Sequence, residues 1–240
     1  MHYFLDNDFT PATGVLNEEE TRHAVKALRI NVGDEIRIGD GKGNRYHSRI
    51  NRIGKKEIVV DILSREVFEL PFPKLTIAIA PTKNPSRFEW FLEKATELGV
   101  YQIIPIETKR TERVRFRHDR AERIIHAATK QSMRAFTPHL EKLTPISKVL
   151  EMDASLKLIA HCDENSERIQ ISKFSEKNSV EDILILIGPE GDFTSIEIEK
   201  AIENGFQPVE FGENRLRTET AGVFAAAVFY NNPIGTLTEK

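Results

Sequence analysis

The chain has 240 residues, 40% hydrophobic and 30% charged, enough for one large domain or two small ones with packed cores. Its single cysteine, Cys162, excludes an intramolecular disulfide framework and a cysteine-only zinc site, and its seven scattered histidines lack metal-ligand spacing, so no metal is expected. The net charge of -3 hides an asymmetry: residues 83–148 carry 14 Lys and Arg against 8 Asp and Glu, and residues 149–240 carry 8 against 17, which makes the basic middle a candidate polyanion-facing surface.

The first residues, Met1-His2-Tyr3-Phe4-Leu5-Asp6, have neither a basic start nor a long apolar run, so no signal peptide is read there. No stretch is apolar enough to cross a bilayer, and a cytoplasmic protein away from membranes is expected. Asn17 to Arg29 predicts a short helix with Asn17 as N-cap and Glu20 three residues on. Glu35-Ile36-Arg37-Ile38 alternates at period two, Asp40-Gly41-Lys42-Gly43-Asn44 is a turn, and 45–50 and 57–63 read as further strands. Short strands joined by Gly turns predict a small barrel over residues 1–70. Pro71 and Pro73 mark a linker.

Beyond the linker the pattern alternates strand and helix. Strands are predicted at 75–80, 100–106, 156–161, 183–187 and 208–211. Helices are predicted at 86–98, closed by Gly99, at 119–135, ending before Pro138, at 194–205, opened by the capping box Thr194-Ser195-Ile196-Glu197, and at 218–229, rich in alanine. Residues 163–181 are polar and read as a flexible connection. The alternation predicts a mostly parallel α/β sheet in a second domain over 74–240.

Two loops draw attention. Ile187-Gly188-Pro189-Glu190-Gly191-Asp192-Phe193 leaves an apolar strand and leads into a helix, and Gly212 to Ala221 does the same about twenty-five residues later. Gly188 permits close backbone approach, Gly191 permits positive φ, and Pro189 stiffens the loop. Thr218 is placed to cap the last helix, whose small residues Ala221, Gly222, Ala225, Ala226 and Ala227 permit close packing, either in the core or on a second copy of the chain. Neither loop is a GxGxxG or Walker sequence, and a dinucleotide enzyme is therefore not indicated.

These residues carry a resemblance. The chain resembles the RsmE-type 16S rRNA (uracil-N3) methyltransferases of the SPOUT superfamily. The match runs through His23 to Arg29, Val32-Gly33-Asp34, Asp40 to Gly43, Lys94 to Val100 and Gln131-Ser132-Met133-Arg134, then through Ile187 to Phe193, Gly205-Phe206, Gly212 and Leu216 to Ala221. It covers nearly the whole chain in order. The chain departs from the family pattern in having Asp192 where Gly is common, and Arg215 where an aliphatic residue is common.

The resemblance implies a C-terminal SPOUT α/β trefoil-knot domain behind a small N-terminal PUA-like RNA-binding β-barrel. It also implies a homodimer, small-subunit rRNA within an assembled or partly assembled subunit as substrate, and S-adenosylmethionine as cofactor. The cofactor would be bound by Ile187, Gly188, Pro189, Glu190, Gly191, Phe211, Gly212, Leu216, Arg217, Thr218, Thr220 and Ala221. Uridine N3 is a poor nucleophile while protonated, so the site needs a proton acceptor or a cation that stabilises the forming anion. Arg217, Arg134 and Arg110 are the catalytic candidates. Arg134 would share a helix face with Gln131, and Glu97 would pair with one of the three. His161 at a strand end reads as a structural hydrogen-bonding group. His23, Lys26, Arg29, Lys42, Arg113, Arg115 and Arg117 are the candidate RNA contacts, holding phosphates rather than reading bases. A SPOUT enzyme acting on a ribose 2′-hydroxyl or on tRNA, and a non-catalytic RNA-binding assembly factor, remain the alternatives at this stage.

Overall fold

A computed structural model describes residues 1–112, 116–163, 167–174, 180–230 and 237–239. The chain divides into two compact units. The first holds Met1–Leu70 and His126–Thr137, together with the short strand Leu237–Glu239. The second holds the rest of the described chain, from Pro71 onward.

In the first unit the strands are β1 (His2–Leu5), β2 (Val15–Leu16), β3 (Glu35–Gly39), β4 (Asn44–Ile53) and β5 (Ile58–Val67). They form a curled sheet in the order β1-β3-β4-β5, with Leu237–Glu239 beyond β5 and β2 also paired to β5. Alternate residues of these strands, among them Phe4, Ile36, Ile38, Tyr46, Ile50, Ile58 and Val60, point into one core. Helix α1 (Glu18–His23) starts as expected, with the Asn17 side chain accepting from the Glu20 N–H at 2.9 Å. The expected helix to Arg29 ends sooner. Ala24–Leu28 is a wider π turn, closed by Arg29 at φ 52. Glu20 does not complete a capping box either: its buried carboxylate takes Lys130 Nζ at 2.7 and 2.9 Å.

The second unit contains β6 (Lys74–Ile79), α2 (Pro85–Glu97), β7 (Gln102–Glu107) and α3 (His118–Gln131), the last of which runs on into the residues of the first unit. It continues with β8 (His139–Leu140), β9 (Thr144–Pro145), α4 (Ile146–Leu150), β10 (Leu156–Ala160) and β11 (Ile169–Gln170). It ends with β12 (Asp182–Ile187), α5 (Ser195–Glu203), β13 (Gln207–Glu210) and α6 (Thr218–Val228). The sheet order is β11-β13-β10-β12-β6-β7-β8, and every pairing in it is parallel. Both faces are covered. Leu75, Ile77 and Ile79 of β6 join Phe91, Leu92, Ala225 and Ala226 in one cluster, while Ala78 and Ala80 join Leu184, Leu186, Ile198 and Phe206 in the other. This is why the central strands read as unbroken apolar runs.

Two expectations are corrected here. Helix α3 stops at Gln131, because Met133 takes φ 52 and the Arg134 N–H returns to the Thr129 carbonyl at 3.0 Å. Arg134 therefore lies beyond the helix and shares no helical face with Gln131. Residues 163–181 are not all connection, since β11 is followed by a 3-10 turn, Ile171–Phe174, that buries Ile171 and Phe174. Of the small residues of α6, Ala221, Gly222, Ala225 and Ala226 are buried in the chain's own core, and Ala227 is exposed. A Cβ on Gly222 would lie 2.5 Å from the Phe91 ring and 2.9 Å from Ile79, so α6 approaches α2 and β6 closely only because no side chain intervenes. Gly222→Val should therefore lower folding stability by about 1–3 kcal/mol through overpacking. An unchanged denaturation midpoint would mean that Phe91 has room to move.

Candidate functional site

The strands β13, β10 and β12 are neighbours, and their carboxyl ends open onto the same edge of the sheet. That edge is where open parallel α/β sheets bind ligands. The three loops that leave it, at 161–163, 188–193 and 211–217, enclose a cleft of about 640 Å³. Its size lies inside the range of about 300–1,000 Å³ common for small-molecule sites. The cleft is lined by Ile187, Gly188, Pro189, Glu190, Gly191, Phe211, Gly212, Leu216, Arg217, Thr218 and Ala221. Thr220 is not in its wall: that residue is exposed on α6.

The first loop is braced from several sides. Arg110 donates to the Gly191 carbonyl at 2.8 Å and to the Phe193 carbonyl at 3.2 Å. Glu190 accepts from the Lys83 N–H at 3.0 Å, and Glu197, besides completing its capping box with Thr194, accepts from the Lys109 N–H at 2.8 Å. Thr218 is not the N-cap of α6. Arg217 holds that position, and the buried Thr218 hydroxyl donates to the Gly188 carbonyl at 3.0 Å, tying the second loop to the first.

Asp192, the departure from the family pattern, has a physical account. It takes φ 62, the left-handed conformation that glycine adopts freely and that Asp tolerates better than most residues. Its carboxylate accepts from the Cys162 N–H and from its neighbour Phe193 N–H, both at 2.7 Å, joining the β10 loop to the β12 loop. The left-handed residue of this segment is thus Asp192, not Gly191. Gly188 also differs from expectation. A Cβ there would lie 3.1 Å from the Phe193 ring, inside the loop's own packing. Gly212, at φ 117 with open space around it, is the position where the backbone itself requires glycine.

His161 and Cys162 also line the cleft. Burial pushes the His161 pKa down, against the opposing pull of the Asp192 carboxylate, so the ring is neutral near pH 7. Its Nδ1 accepts from the Asp163 N–H at 3.2 Å, which leaves the proton on Nε2, and that buried atom has no hydrogen-bond partner among the described residues. Burial pushes the Cys162 thiol up. Arg168 donates to the His161 carbonyl at 2.9 Å and lies 3.8 Å from Glu210, a further wall residue. Sequence reasoning missed Cys162 and Arg168 because only the strand order, with β10 between β12 and β13, brings them to this edge, and it missed Glu210 although that residue directly precedes Phe211 in the chain.

The three arginines separate. Arg217 is exposed in the cleft wall, and among the described residues its side chain makes no hydrogen bond or ion pair. The Arg110 guanidinium is engaged with loop carbonyls, and Arg134 is a half-buried residue of the first unit whose carbonyl accepts from the Tyr3 hydroxyl at 3.3 Å. Glu97 pairs with Lys94 at 2.9 Å within α2. Of the candidate RNA contacts, His23, Lys26, Arg29 and Lys42 are exposed on the first unit, and Lys42 Nζ donates to the Asn7 carbonyl at 2.6 Å. Arg117 is exposed on the second unit, and Arg113 and Arg115 lie outside the described residues.

Comparison with known proteins agrees with this geometry. An RNA methyltransferase domain model matches residues 68–230, and an RNA methyltransferase PUA domain model matches residues 16–63. The ribosomal RNA small subunit methyltransferase E of Rickettsia conorii is 34% identical over 209 residues, 85% of this chain and 84% of that protein. The crystal structure of a probable rRNA-methyltransferase from Porphyromonas gingivalis superposes with a TM-score of 0.86 at 39% identity, covering 95% of this chain and 96% of that one. A ribosomal RNA small subunit methyltransferase E from Neisseria gonorrhoeae, bound to S-adenosyl methionine, superposes with a TM-score of 0.81 at 26% identity, covering 95% of each chain. The parallel α/β sheet, which follows the curled N-terminal sheet in the chain, has the SPOUT fold that the sequence resemblance implied. On these matches the chain belongs to the RNA methyltransferase family, the family of the ribosomal RNA small subunit methyltransferase E proteins.

Proposed function

We propose that this protein is an S-adenosylmethionine-dependent methyltransferase that methylates N3 of a uridine in 16S rRNA of the small subunit. The observation that carries the reading is the cleft at the carboxyl ends of β10, β12 and β13, built from the Gly188 and Gly212 loops in a chain of this family. The residues present fit the cofactor. Phe211, Leu216 and Ile187 offer apolar walls for a purine ring, the open backbone at Gly212 offers N–H and carbonyl groups, and the orphaned His161 Nε2 is a donor awaiting a partner. Ile187 to Gly191, Phe211, Gly212, Leu216 to Thr218, Thr220 and Ala221 are assigned to cofactor binding, with Thr220 acting from outside the cleft wall.

S-adenosylmethionine supplies an electrophilic methyl group on a sulfonium. The protein's part is to align the uracil with it, to exclude water, and to stabilise the negative charge that develops as N3 loses its proton. Arg217 is assigned that last task, because its fixed cation stands unengaged in the wall. Arg110 acts on catalysis through the loop it braces, and Arg134 is assigned to the RNA from the first unit. We assign 1–70 to a PUA-like RNA-binding domain and 74–240 to a SPOUT methyltransferase domain with a C-terminal knot. The protein works in the cytoplasm on an assembled or partly assembled subunit. It acts as a homodimer through exposed apolar residues, Phe224 of α6, Tyr230 just beyond it, and Trp90 of α2, the helix packed beside α6.

The direct test is mass spectrometry of small-subunit rRNA from a strain lacking the gene: a 3-methyluridine should vanish and return with the wild-type gene. Its persistence would refute the assignment. RNA affinity should also depend on salt. Arg113, Arg115 and Arg117 changed together to Ala should flatten the slope of log affinity against log salt by roughly one unit for each phosphate no longer held, leaving S-adenosylmethionine affinity unchanged. An unaltered slope would move the RNA surface elsewhere.

A further inference from the structure

The second unit holds another pocket, at the start of α2 and α3, that shares no wall residue with the cleft. It encloses about 270 Å³, below the range of about 300–1,000 Å³ typical of drug-sized ligands and suited to a single planar ring. Its apolar side is formed by Phe88, Leu92 and Phe116, with the Phe88 and Phe116 rings 5.7 Å apart and nearly perpendicular. Its polar side is the Arg120–Glu89 pair, a two-pronged interaction in which Arg120 Nη2 meets Glu89 Oε2 at 2.8 Å and Arg120 Nε also donates to Glu89. Arg117 stands exposed at the rim.

We infer that this pocket receives one unpaired nucleobase of the RNA substrate, from a nucleotide flanking the one methylated. The inference rests on the RNA methyltransferase reading above. Three features favour a base over an aliphatic or peptide occupant. Aromatic rings form one wall, and stacking on such rings is how proteins hold splayed-out RNA bases. A guanidinium and a carboxylate lie side by side in one pair, offering N–H donors and carboxylate acceptors to the hydrogen-bonding edge of a base. The rim is cationic, lies in the basic stretch of the chain, and would meet the phosphate attached to that base. The flanking assignment follows from adjacency: no residue lines both cavities, and the Lys83 N–H bond to Glu190 sets the Pro81–Thr82 edge of this pocket beside the cleft, so the base held here is a neighbour of the one methylated.

The test uses two variants. Ser86→Trp fills the pocket mouth from an exposed position in the first turn of α2. Phe116→Ala removes a stacking wall. Each should weaken binding of protein-free small-subunit rRNA by about tenfold or more, the loss expected when one stacked base is released. S-adenosylmethionine affinity measured by calorimetry should be unchanged, and the methylation rate at saturating RNA should stay within about twofold. Irradiating wild-type protein with 4-thiouridine-substituted rRNA should give a crosslinked peptide that contains Phe88 or Phe116. Unchanged RNA affinity in Ser86→Trp, or crosslinks confined to other peptides, would overturn the pocket assignment while leaving the methyltransferase reading intact. Failure of the wild-type protein to bind or methylate rRNA at all would refute both.

Discussion

Arg217→Ala should lower the methylation rate by about 10²–10³-fold at saturating S-adenosylmethionine and RNA, the usual cost of losing one donor aimed at developing negative charge. Arg217 is the N-cap of α6, where its backbone is fixed by the helix start and its side chain is free to reach into the cleft. A cation acting on a charge that appears only during the reaction strengthens the transition state more than the bound substrate, so the loss should fall on the rate rather than on either affinity. Arg217→Lys should recover little, because an ammonium lacks the planar fork that could span N3 and a neighbouring uracil oxygen. Single-turnover rates measured beside calorimetric affinities separate these outcomes. A near-normal rate in Arg217→Ala would pass the role to Arg134, to Arg110 or to solvent. Arg110 is the weaker successor, since its guanidinium already holds two loop carbonyls.

The sequence made the two glycine loops legible because each breaks an apolar strand with residues that only a special backbone path requires. It also made the parallel sheet legible, since strands buried on both faces read as continuous aliphatic runs such as 183–187. Pairwise neighbours were not legible. Nothing local to Cys162 or Arg168 indicates that β10 lies between β12 and β13, and without that order neither residue belongs to a site. The end of α3 was misread because an unusual residue took the left-handed conformation. Met133 occupies a position where pattern reasoning looks for glycine or asparagine, and the Asn17 cap, which follows the rule, was found at its expected place.

Asp192 illustrates how a departure from a family pattern can be absorbed. Asp at φ 62 costs something relative to glycine, and two hydrogen bonds of 2.7 Å to backbone N–H groups offset that cost. The exchange leaves the first loop more tightly held than a glycine would, with braces from Arg110, Glu190, Thr218 and Asp192 converging on six residues. The second loop, 212–217, is exposed throughout. The cleft therefore has one braced wall and one exposed wall, and its geometry depends most on the residue that lets the exposed loop turn.

That residue is Gly212, and Gly212→Val should abolish detectable S-adenosylmethionine binding, a loss of about a hundredfold or more, while the protein stays folded. A β-branched residue at φ 117 is strongly disfavoured, so the loop must leave its path. The space around Gly212 is open, which means that the side chain meets no core atom and the damage stays local. Gly188→Val should also lose cofactor affinity, by a different route: its Cβ presses on the Phe193 ring at 3.1 Å and so strains the braced wall, and some loss of folding stability should accompany the loss of binding. Calorimetry with S-adenosylmethionine, run beside denaturant melts of both variants, distinguishes the two routes. Binding near wild-type strength in Gly212→Val would show that the second loop re-forms without its glycine, and would remove that loop from the cofactor site.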